Sequence, residues 1–421
     1  MRPLRPALAL GCLAAVALTA ACGSGGPEVR VARADPAPVR AADPRTAARA
    51  DTAFGLDLLA AWCARDPAAN LVLSPSSIAG GLGMAYLGAR GATAKAMAAG
   101  LHLPDGDPLP ALHARAQALA TLNGEKTTVR TTDQVWSDLA LPPDGGYLSR
   151  VATGYGAVLK RLDIQGDPDG ARRAVNEAIE TSTAGQIPDL LPQGSVTRDT
   201  GWLLTDAVYL KARWADEFKR SHTSPARFTT AAGQAVRTPT MSREASFGYA
   251  HVQGWTAVDL PYAGGRLSMT ALMPDPAATP GSAATSGCPR LDASTLGRVT
   301  GALRPARVDL ALPKVRLRSR QNLQPLLSGL GMGVMFSGGA DFTGISPKAA
   351  RVAFVQHAAT LLVDERGTEA AAATATGVQA GAAPPRAALE VVFDRPHLLL
   401  VRDTRTGEPL FLARVADPSR T

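Results

Sequence analysis

The sequence is poor in the residues from which metal sites and nucleophilic enzymes are built. Its 421 residues contain only four cysteines and six histidines, and no pair of cysteines has the spacing of a zinc site. No Gly-x-Ser-x-Gly motif occurs, and the histidines form no motif with serine and aspartate. We therefore expect a protein that is not an enzyme and that binds neither a metal nor a cofactor.

Aromatic and charged residues are also scarce, at 5% and 19% of the chain. The net charge is +8, but the arginines are scattered singly, and no basic stripe with interleaved aromatics is present. We therefore expect no nucleic-acid partner. The sequence is instead rich in hydrophobic residues, at 46%, which suffices for a large core in one big domain or two ordinary ones.

The N-terminal apolar run, Ala7 to Ala21, is too short to span a membrane, and it follows Arg2 and Arg5 as in a secretory signal. The run ends in Leu-Thr-Ala-Ala-Cys, which resembles a bacterial lipoprotein box with Cys22 as the lipidated residue. Ordinary cleavage after small residues is the alternative. We predict a signal peptide over residues 1–21 and an extracellular protein that a lipid anchors to the outer face of the cell membrane.

Two composition changes divide the rest of the chain. Residues 22–46 are rich in Gly, Pro, Ala and Arg without an apolar period, which predicts a flexible tether. Residues 47–421 mix helical and strand patterns without a repeat, which favours a single α+β domain built on large sheets. Cys63, on a predicted helix, and Cys288, in a loop, either form a disulfide or remain two free thiols.

A stretch near the C-terminus, DERGTEAAAATATGVQAG from Asp364 to Gly381, consists almost entirely of small side chains. If it forms a strand, Gly367 permits a sharp turn before it. One face of that strand would carry Thr368, Ala370, Ala372 and Thr374, and the other would carry Glu369, Ala371 and Ala373. All side chains on the first face are small and uncharged, so the strand could enter an existing sheet without requiring a new cavity. Since Ala is the best helix former, a linker or a short helix is the alternative.

Eight groups of segments, in order and at compatible spacing from about residue 47 to Pro418, resemble the serpin family. They are NLVLSPSSI with LGARGAT, VNEAIETSTAGQI, LLTDAVYLKARW, LPY with LSM, LPK, GMGVMF with ADFTGIS, the run from Glu365 to Thr374, and DRPHLLLVRDTRTGEPLFLARVADP. The resemblance implies a monomeric domain with three β-sheets, eight or nine helices and an exposed reactive-centre loop at about 366–390.

By that resemblance the protein is a suicide-substrate inhibitor of serine endopeptidases, and cysteine proteases are further candidate partners. The target cleaves the loop and forms an acyl-enzyme, after which the hinge inserts as a new strand of the large sheet and distorts the protease. Within the hinge, Glu365 matches the first residue, and Lys314 matches its ion-pair partner. The small residues from Thr368 to Thr374 match those of inhibitory members.

Other residues match the region where the sheet opens. Ser74, Ser77 and His357 match a polar cluster beneath the sheet, and Trp214 matches the tryptophan where insertion begins. Asp206 stands where the family usually has Asn, and its carboxylate either pairs with the imidazole or loosens the cluster. A non-inhibitory serpin, acting as a cell-surface binding or structural lipoprotein, is the alternative. Such members commonly carry bulky, charged or proline residues in the hinge.

The family's usual spacing, counted from Glu365, places the scissile bond at Gly381–Ala382. A slip in register makes Ala380, Gln379 or Ala382 the recognised residue. All of these side chains are small or neutral. The sequence therefore favours an elastase-like or subtilisin-like target over a trypsin-like one.

Overall fold

The computed structural model describes residues 27–124, 127–131, 133–276, 288–368 and 387–420. Eight α-helices lie within these ranges: α1 (Pro44–Arg65), α2 (Pro75–Tyr86), α3 (Gly91–Gly100), α4 (Leu109–Ala120), α5 (Gly145–Tyr155), α6 (Pro168–Ser182), α7 (Ala293–Ala302) and α8 (Gln324–Leu327). The strands are β1 (Arg30–Ala32), β2 (Leu71–Leu73), β3 (Thr127–Thr131), β4 (Gln134–Asp138), β5 (Leu159–Leu162), β6 (Trp202–Arg213), β7 (Thr223–Thr229), β8 (Ala235–Val252), β9 (Trp255–Pro261), β10 (Leu267–Pro274), β11 (Arg304–Pro313), β12 (Val315–Asn322), β13 (Val355–Val363), β14 (Gly367–Thr368), β15 (Leu389–Val392), β16 (His397–Asp403) and β17 (Pro409–Val415).

The large sheet contains eight strands in the order β1-β5-β4-β6-β13-β12, with β3 and β14 paired to β6. Its central strand β6 is buried over most of its length, as the continuous apolar run in the sequence predicts. Val175 and Ile179 of helix α6 belong to one buried cluster with Leu203 and Ala207 of β6. We call the end of β6 nearer Arg213 the upper end and the end nearer Trp202 the lower end.

The second sheet contains nine strands in the order β15-β11-β8-β9-β10-β16-β17-β2, with β7 paired to β8. The 18-residue strand β8 pairs with β7 over its first part, with β11 over its middle and with β9 at its end. Two of the three expected sheets are therefore one continuous hydrogen-bonded network, because a single long strand belongs to both. The predicted α+β class is confirmed.

The N-terminal segment, residues 27–43, is docked on the domain. Strand β1 pairs antiparallel with β5 and so forms the outer strand of the large sheet. Further along, the backbone N–H of Ala37 donates to the hydroxyl of Thr153 at 2.7 Å, and the hydroxyl of Ser149 donates to the carbonyl of Asp35 at 2.9 Å. The segment therefore joins the sheet edge to helix α5.

This docking differs from the flexible tether that we predicted over 22–46. The segment docks because the edge of β5 offers backbone N–H and C=O groups with which an extended segment can pair. The composition of the segment does not reveal this, since the edge forms only in the folded domain. Helix α1 then begins at Pro44, and the side chain of Asp43 caps it by accepting from the N–H of Arg45. Cys22, the predicted lipidation site, lies outside the described residues.

The two cysteines of the domain are joined. Cys63, near the end of α1, forms a disulfide with Cys288, which precedes α7, and this resolves the two alternatives in favour of the bond. No helix in the described part of the chain is both long and apolar enough to cross a membrane.

Candidate functional site

Strands β6 and β13 lie side by side and run parallel, but only their lower parts are paired. The pairing extends from Leu204 opposite Val355 to Val208 opposite Ala359. Beyond this point both strands continue, β6 to Arg213 and β13 to Val363, with no further pairing between them recorded in the described ranges. We call the gap between their upper parts the slot.

The first residues of the predicted hinge already lie in the slot. Gly367 and Thr368 form β14, which pairs antiparallel with Arg213 and Ala212 of β6 and contacts β13. The side chain of Thr368 is only 1% exposed. We expected the exposed loop to begin at about residue 366, and the structure instead places these two residues within the sheet.

A tight turn brings the chain from β13 back into the slot. The carboxylate of Asp364 accepts from the N–H of Arg366 at 2.8 Å, and the backbone of Gly367 has a φ of 140°. A Cβ added at Gly367 would lie 2.2 Å from the carbonyl oxygen of Ala212. Only glycine therefore fits this position, both for its conformation and for its space.

Two aromatic rings hold the turn against the sheet. Trp214 stacks on Tyr262 with ring centroids 4.5 Å apart, and its indole N–H donates to the carbonyl of Asp364 at 2.9 Å. The hydroxyl of Tyr262 is 2.7 Å from that of Thr368, within hydrogen-bond distance. Burial raises the pKa of Tyr262, so this hydroxyl stays neutral. Trp214 thus lies beside the turn from which β14 begins.

The carboxylate of Glu365 lies at the mouth of the slot and is paired. Lys314 lies 2.9 Å away, and the hydroxyl of Thr223 donates to the same carboxylate at 2.8 Å. Burial by itself would raise the pKa of Glu365, but the hydrogen bonds from Lys314, from the backbone and from Thr223, with the charge of Lys314, together outweigh it and leave the pKa below its usual value. The hinge is therefore fastened at its charged end.

Beneath the slot, Asp206 and His357 form a buried pair. They lie opposite each other in the pairing of β6 with β13, and Nδ1 of His357 is 2.5 Å from Oδ1 of Asp206. Of our two alternatives for Asp206, the structure shows the paired one. In the described part of the chain, Nε2 of His357 and Oδ2 of Asp206 lack a hydrogen-bond partner.

The two serines of the predicted cluster bond elsewhere. Ser74 caps α2 by accepting from the N–H of Ser77 at 3.3 Å, and the hydroxyl of Ser77 donates to Asp133 at 2.5 Å. Asp133 precedes β4 and was missed by sequence reasoning. The sequence feature that could have indicated it is an acidic residue directly before an apolar strand. Its proximity to α2 depends on Gly80, where a Cβ would lie 2.4 Å from the Asp133 carboxylate.

The environment of Asp133 perturbs its titration. The pKa of this carboxyl is raised to about 7, chiefly because it is buried, and the nearby charge of Asp206 adds to the rise. The hydrogen bond from Ser77 opposes the rise. The hydroxyl of Ser77 on α2, the carboxyl of Asp133 before β4 and the carboxyl of Asp206 on β6 therefore lie close to one another.

The slot has the geometry to accept a longer strand. Between Val208 and Ala212, no described strand pairs with the edge of β6 that faces the slot, whereas β3 pairs with the other edge. Backbone groups along a strand edge form hydrogen bonds with a strand that is added to it. The remaining hinge residues, Glu369 to Thr374, and the predicted bond with its neighbours, Gln379 to Ala382, lie outside the described residues.

Comparisons with known sequences agree on one family. The serpin (serine protease inhibitor) family model matches residues 49–418. Leukocyte elastase inhibitor of Sus scrofa is 32% identical over 384 residues, which cover 88% of this chain and 98% of that protein. An uncharacterized serpin-like protein of Thermococcus kodakarensis is 32% identical over 354 residues, which cover 83% of this chain and 81% of that protein.

Solved structures show the same fold. Tengpin, a thermophilic serpin solved in its native state, matches with a TM-score of 0.80 at 22% identity, over 92% of this chain and 97% of that one. Uncleaved ovalbumin matches with a TM-score of 0.75 at 22% identity, over 88% of this chain and all of that one. These likenesses concern the fold alone. Together with the family model, which spans most of the chain, they confirm the predicted resemblance: the chain belongs to the serpin family.

Proposed function

We propose that this protein is a suicide-substrate inhibitor of serine endopeptidases. The observation that carries the proposal is the position of Gly367 and Thr368, which start a strand in the slot between β6 and β13. The residues that follow have small side chains from Ala370 to Ala373. A freed loop of this composition extends β14 down the slot without displacing core side chains. Hydrogen bonds along both slot edges supply the driving free energy.

Elastase-like or subtilisin-like proteases are the favoured targets. Support comes from the neutral residues around the expected bond, Gly381–Ala382, and from the relatives that are named leukocyte elastase inhibitors. A pocket shaped for a small side chain accepts such residues, whereas a trypsin-like pocket requires a basic one. In this proposal the chain is the substrate of the reaction and supplies no catalytic group.

Mixing the mature domain with an elastase-like and a subtilisin-like protease tests the proposal. We expect a covalent complex that survives denaturing gel electrophoresis and a rise in the thermal stability of the cleaved inhibitor. The mass of the released C-terminal peptide identifies the bond, and residues 382–421 are the expected product. Cleavage without a complex and without thermal stabilisation would contradict inhibition.

We also propose that the protein is exported and held at the outer face of the cell membrane by a lipid on Cys22. The apolar run and the Leu-Thr-Ala-Ala-Cys sequence support this. Labelling bacterial cells that express the chain with a fatty-acid analogue tests it. We expect label on the wild type and none on Cys22→Ala, which should appear in the medium. Equal labelling of both, or of neither, would contradict lipidation.

A further inference from the structure

The outer strand β12 of the large sheet carries a ladder of arginines. Val315 and Leu317 point into the core, while Arg316, Arg318 and Arg320 are exposed on the opposite face. Side chains on one face of a strand recur at about 6.8 Å, twice the rise per residue. Three guanidinium groups are therefore presented to solvent in one row.

The backbone edge beside this ladder is free of other strands. In the order of the large sheet β12 comes last, and its partner is β13. Across the ranges that the structure describes, nothing pairs as a strand with its far edge. Such an edge presents alternating N–H and C=O groups that bind an added extended chain.

The positive charge of the ladder is not neutralised locally. Within the described residues, Arg316 and Arg318 take part in no ion pair, and Arg320 donates one N–H to the carbonyl of Pro188 at 3.1 Å. The cross-strand neighbours on β13 are neutral as well, since Leu362, Thr360 and Ala358 lie opposite the three arginines. No carboxylate of β13 competes for these guanidinium groups.

Charged residues on an edge strand commonly oppose unwanted pairing, and a second copy of the chain pairing here would bring its own arginines close to these. The same repulsion discriminates between strands that approach the edge. A basic strand is repelled, whereas an acidic strand gains cross-strand charge pairs in addition to its backbone hydrogen bonds.

We propose that the free edge of β12 is a docking site for an extended acidic segment of a partner protein, which adds to the large sheet as a further strand. Acidic residues at alternate positions of that segment pair with Arg316, Arg318 and Arg320. The planar guanidinium fork favours carboxylates in bidentate geometry. Since β13 separates β12 from the slot, a docked segment leaves the path of the hinge open.

Fluorescence anisotropy with a labelled peptide of alternating Glu and Thr tests the site on the intact domain. We expect saturable binding that weakens about tenfold in the double variant Arg316→Ser/Arg318→Ser, because two cross-strand charge pairs are lost. The matched control is Arg227→Ser/Arg237→Ser, which removes two exposed arginines that face each other on β7 and β8. It should bind the peptide as the wild type does.

Two further probes separate strand addition from general attraction of anions. A peptide of the same sequence with alternate backbone nitrogens methylated cannot form the ladder and should bind at least tenfold more weakly. Polyphosphate, added at the same concentration of negative charge as the peptide, should not displace the labelled peptide. The variant Arg316→Lys/Arg318→Lys keeps the positive charge but lacks the planar guanidinium group, and it should bind with intermediate affinity. It also serves as a control in case the serine variant does not fold.

Four results would overturn the proposal. Three are no binding of the alternating peptide, equal losses in the two double variants, and equal binding of the methylated peptide. The fourth is equal competition by polyphosphate, because it would show a general cation patch. Covalent complex formation with a protease should be unchanged in Arg316→Ser/Arg318→Ser, since the inferred site and the hinge are separate.

Discussion

At the scale of single residues, the hinge is held by contacts that place one neutral side chain inside the sheet and one charged side chain outside it. Thr368 is buried against Tyr262, and Glu365 is paired with Lys314 at the mouth of the slot. The Glu365–Lys314 pair is implied by the family resemblance. The contact between Thr368 and Tyr262 is not, because it requires the chain to enter the slot before cleavage.

We predict that Thr368→Arg converts the inhibitor into a substrate. Burying a guanidinium group at this position without a partner costs several kcal/mol. We therefore expect the variant to expel β14 from the sheet, so that insertion stalls. On denaturing gels, the band of the covalent complex should give way to the cleaved chain. Thr368→Ser is the control, since it keeps the hydroxyl near Tyr262 and should keep the complex. Complex formation by the arginine variant would count against insertion.

Asp133 should make stability depend on pH. Its folded pKa of about 7 lies above its value of 3.8 in an unfolded chain, so between these values the folded state binds more protons. Stability is therefore highest below about pH 4 as far as this group is concerned, and falls by a few kcal/mol as the pH rises to about 7. In Asp133→Asn, urea unfolding should lose this slope. An unchanged slope, with Asp105→Asn as an exposed control, would show that Asp133 is not its source.

At the scale of elements, the docked N-terminal segment connects strand β5, which lies on the β6 side of the slot, to helix α5. It contacts Thr153, which is buried. The hydroxyl of Thr153 accepts from the backbone N–H of Ala37 at 2.7 Å and donates to the backbone carbonyl of Ser149 at 2.7 Å. An element of three residues, such as β1, has little intrinsic stability. Its position therefore depends on these tertiary contacts.

Thr153→Val should reveal how strongly the segment is bound. The substitution leaves the N–H of Ala37 without an acceptor, which costs about 1–3 kcal/mol. In a chain that begins at residue 42 the same substitution should cost less, because that partner is absent. Urea unfolding of the four proteins measures the difference. Equal costs in both backgrounds would mean that the segment does not stabilise the domain through Thr153.

At the scale of the whole molecule, one covalent bond connects distant parts of the chain. The disulfide between Cys63 and Cys288 spans 225 residues of sequence and ties α1 to the segment that precedes α7. Cross-linking so long a loop restricts the unfolded chain more than it affects the folded one. Its contribution should therefore appear in global unfolding and not in the local geometry of the slot.

We predict that Cys63→Ala/Cys288→Ala lowers the free energy of unfolding by about 3–5 kcal/mol and leaves the stoichiometry of inhibition unchanged. Urea titration measures the first quantity, and titration of a fixed amount of protease measures the second. Dithiothreitol should produce the same loss in the wild type and none in the double variant. A double variant as stable as the wild type would show that the bond adds no stability.

The sequence alone determined the family, the α+β class and the size and charge of each hinge residue, because these follow from ordered segments and from the chemistry of individual side chains. The tertiary structure decided which groups meet. It placed Thr368 in the slot, paired Ser77 with Asp133, joined the two cysteines and docked residues 27–43. Each of these depends on free strand edges and helix faces that come together only when the chain is folded, so no local pattern of residues indicates them.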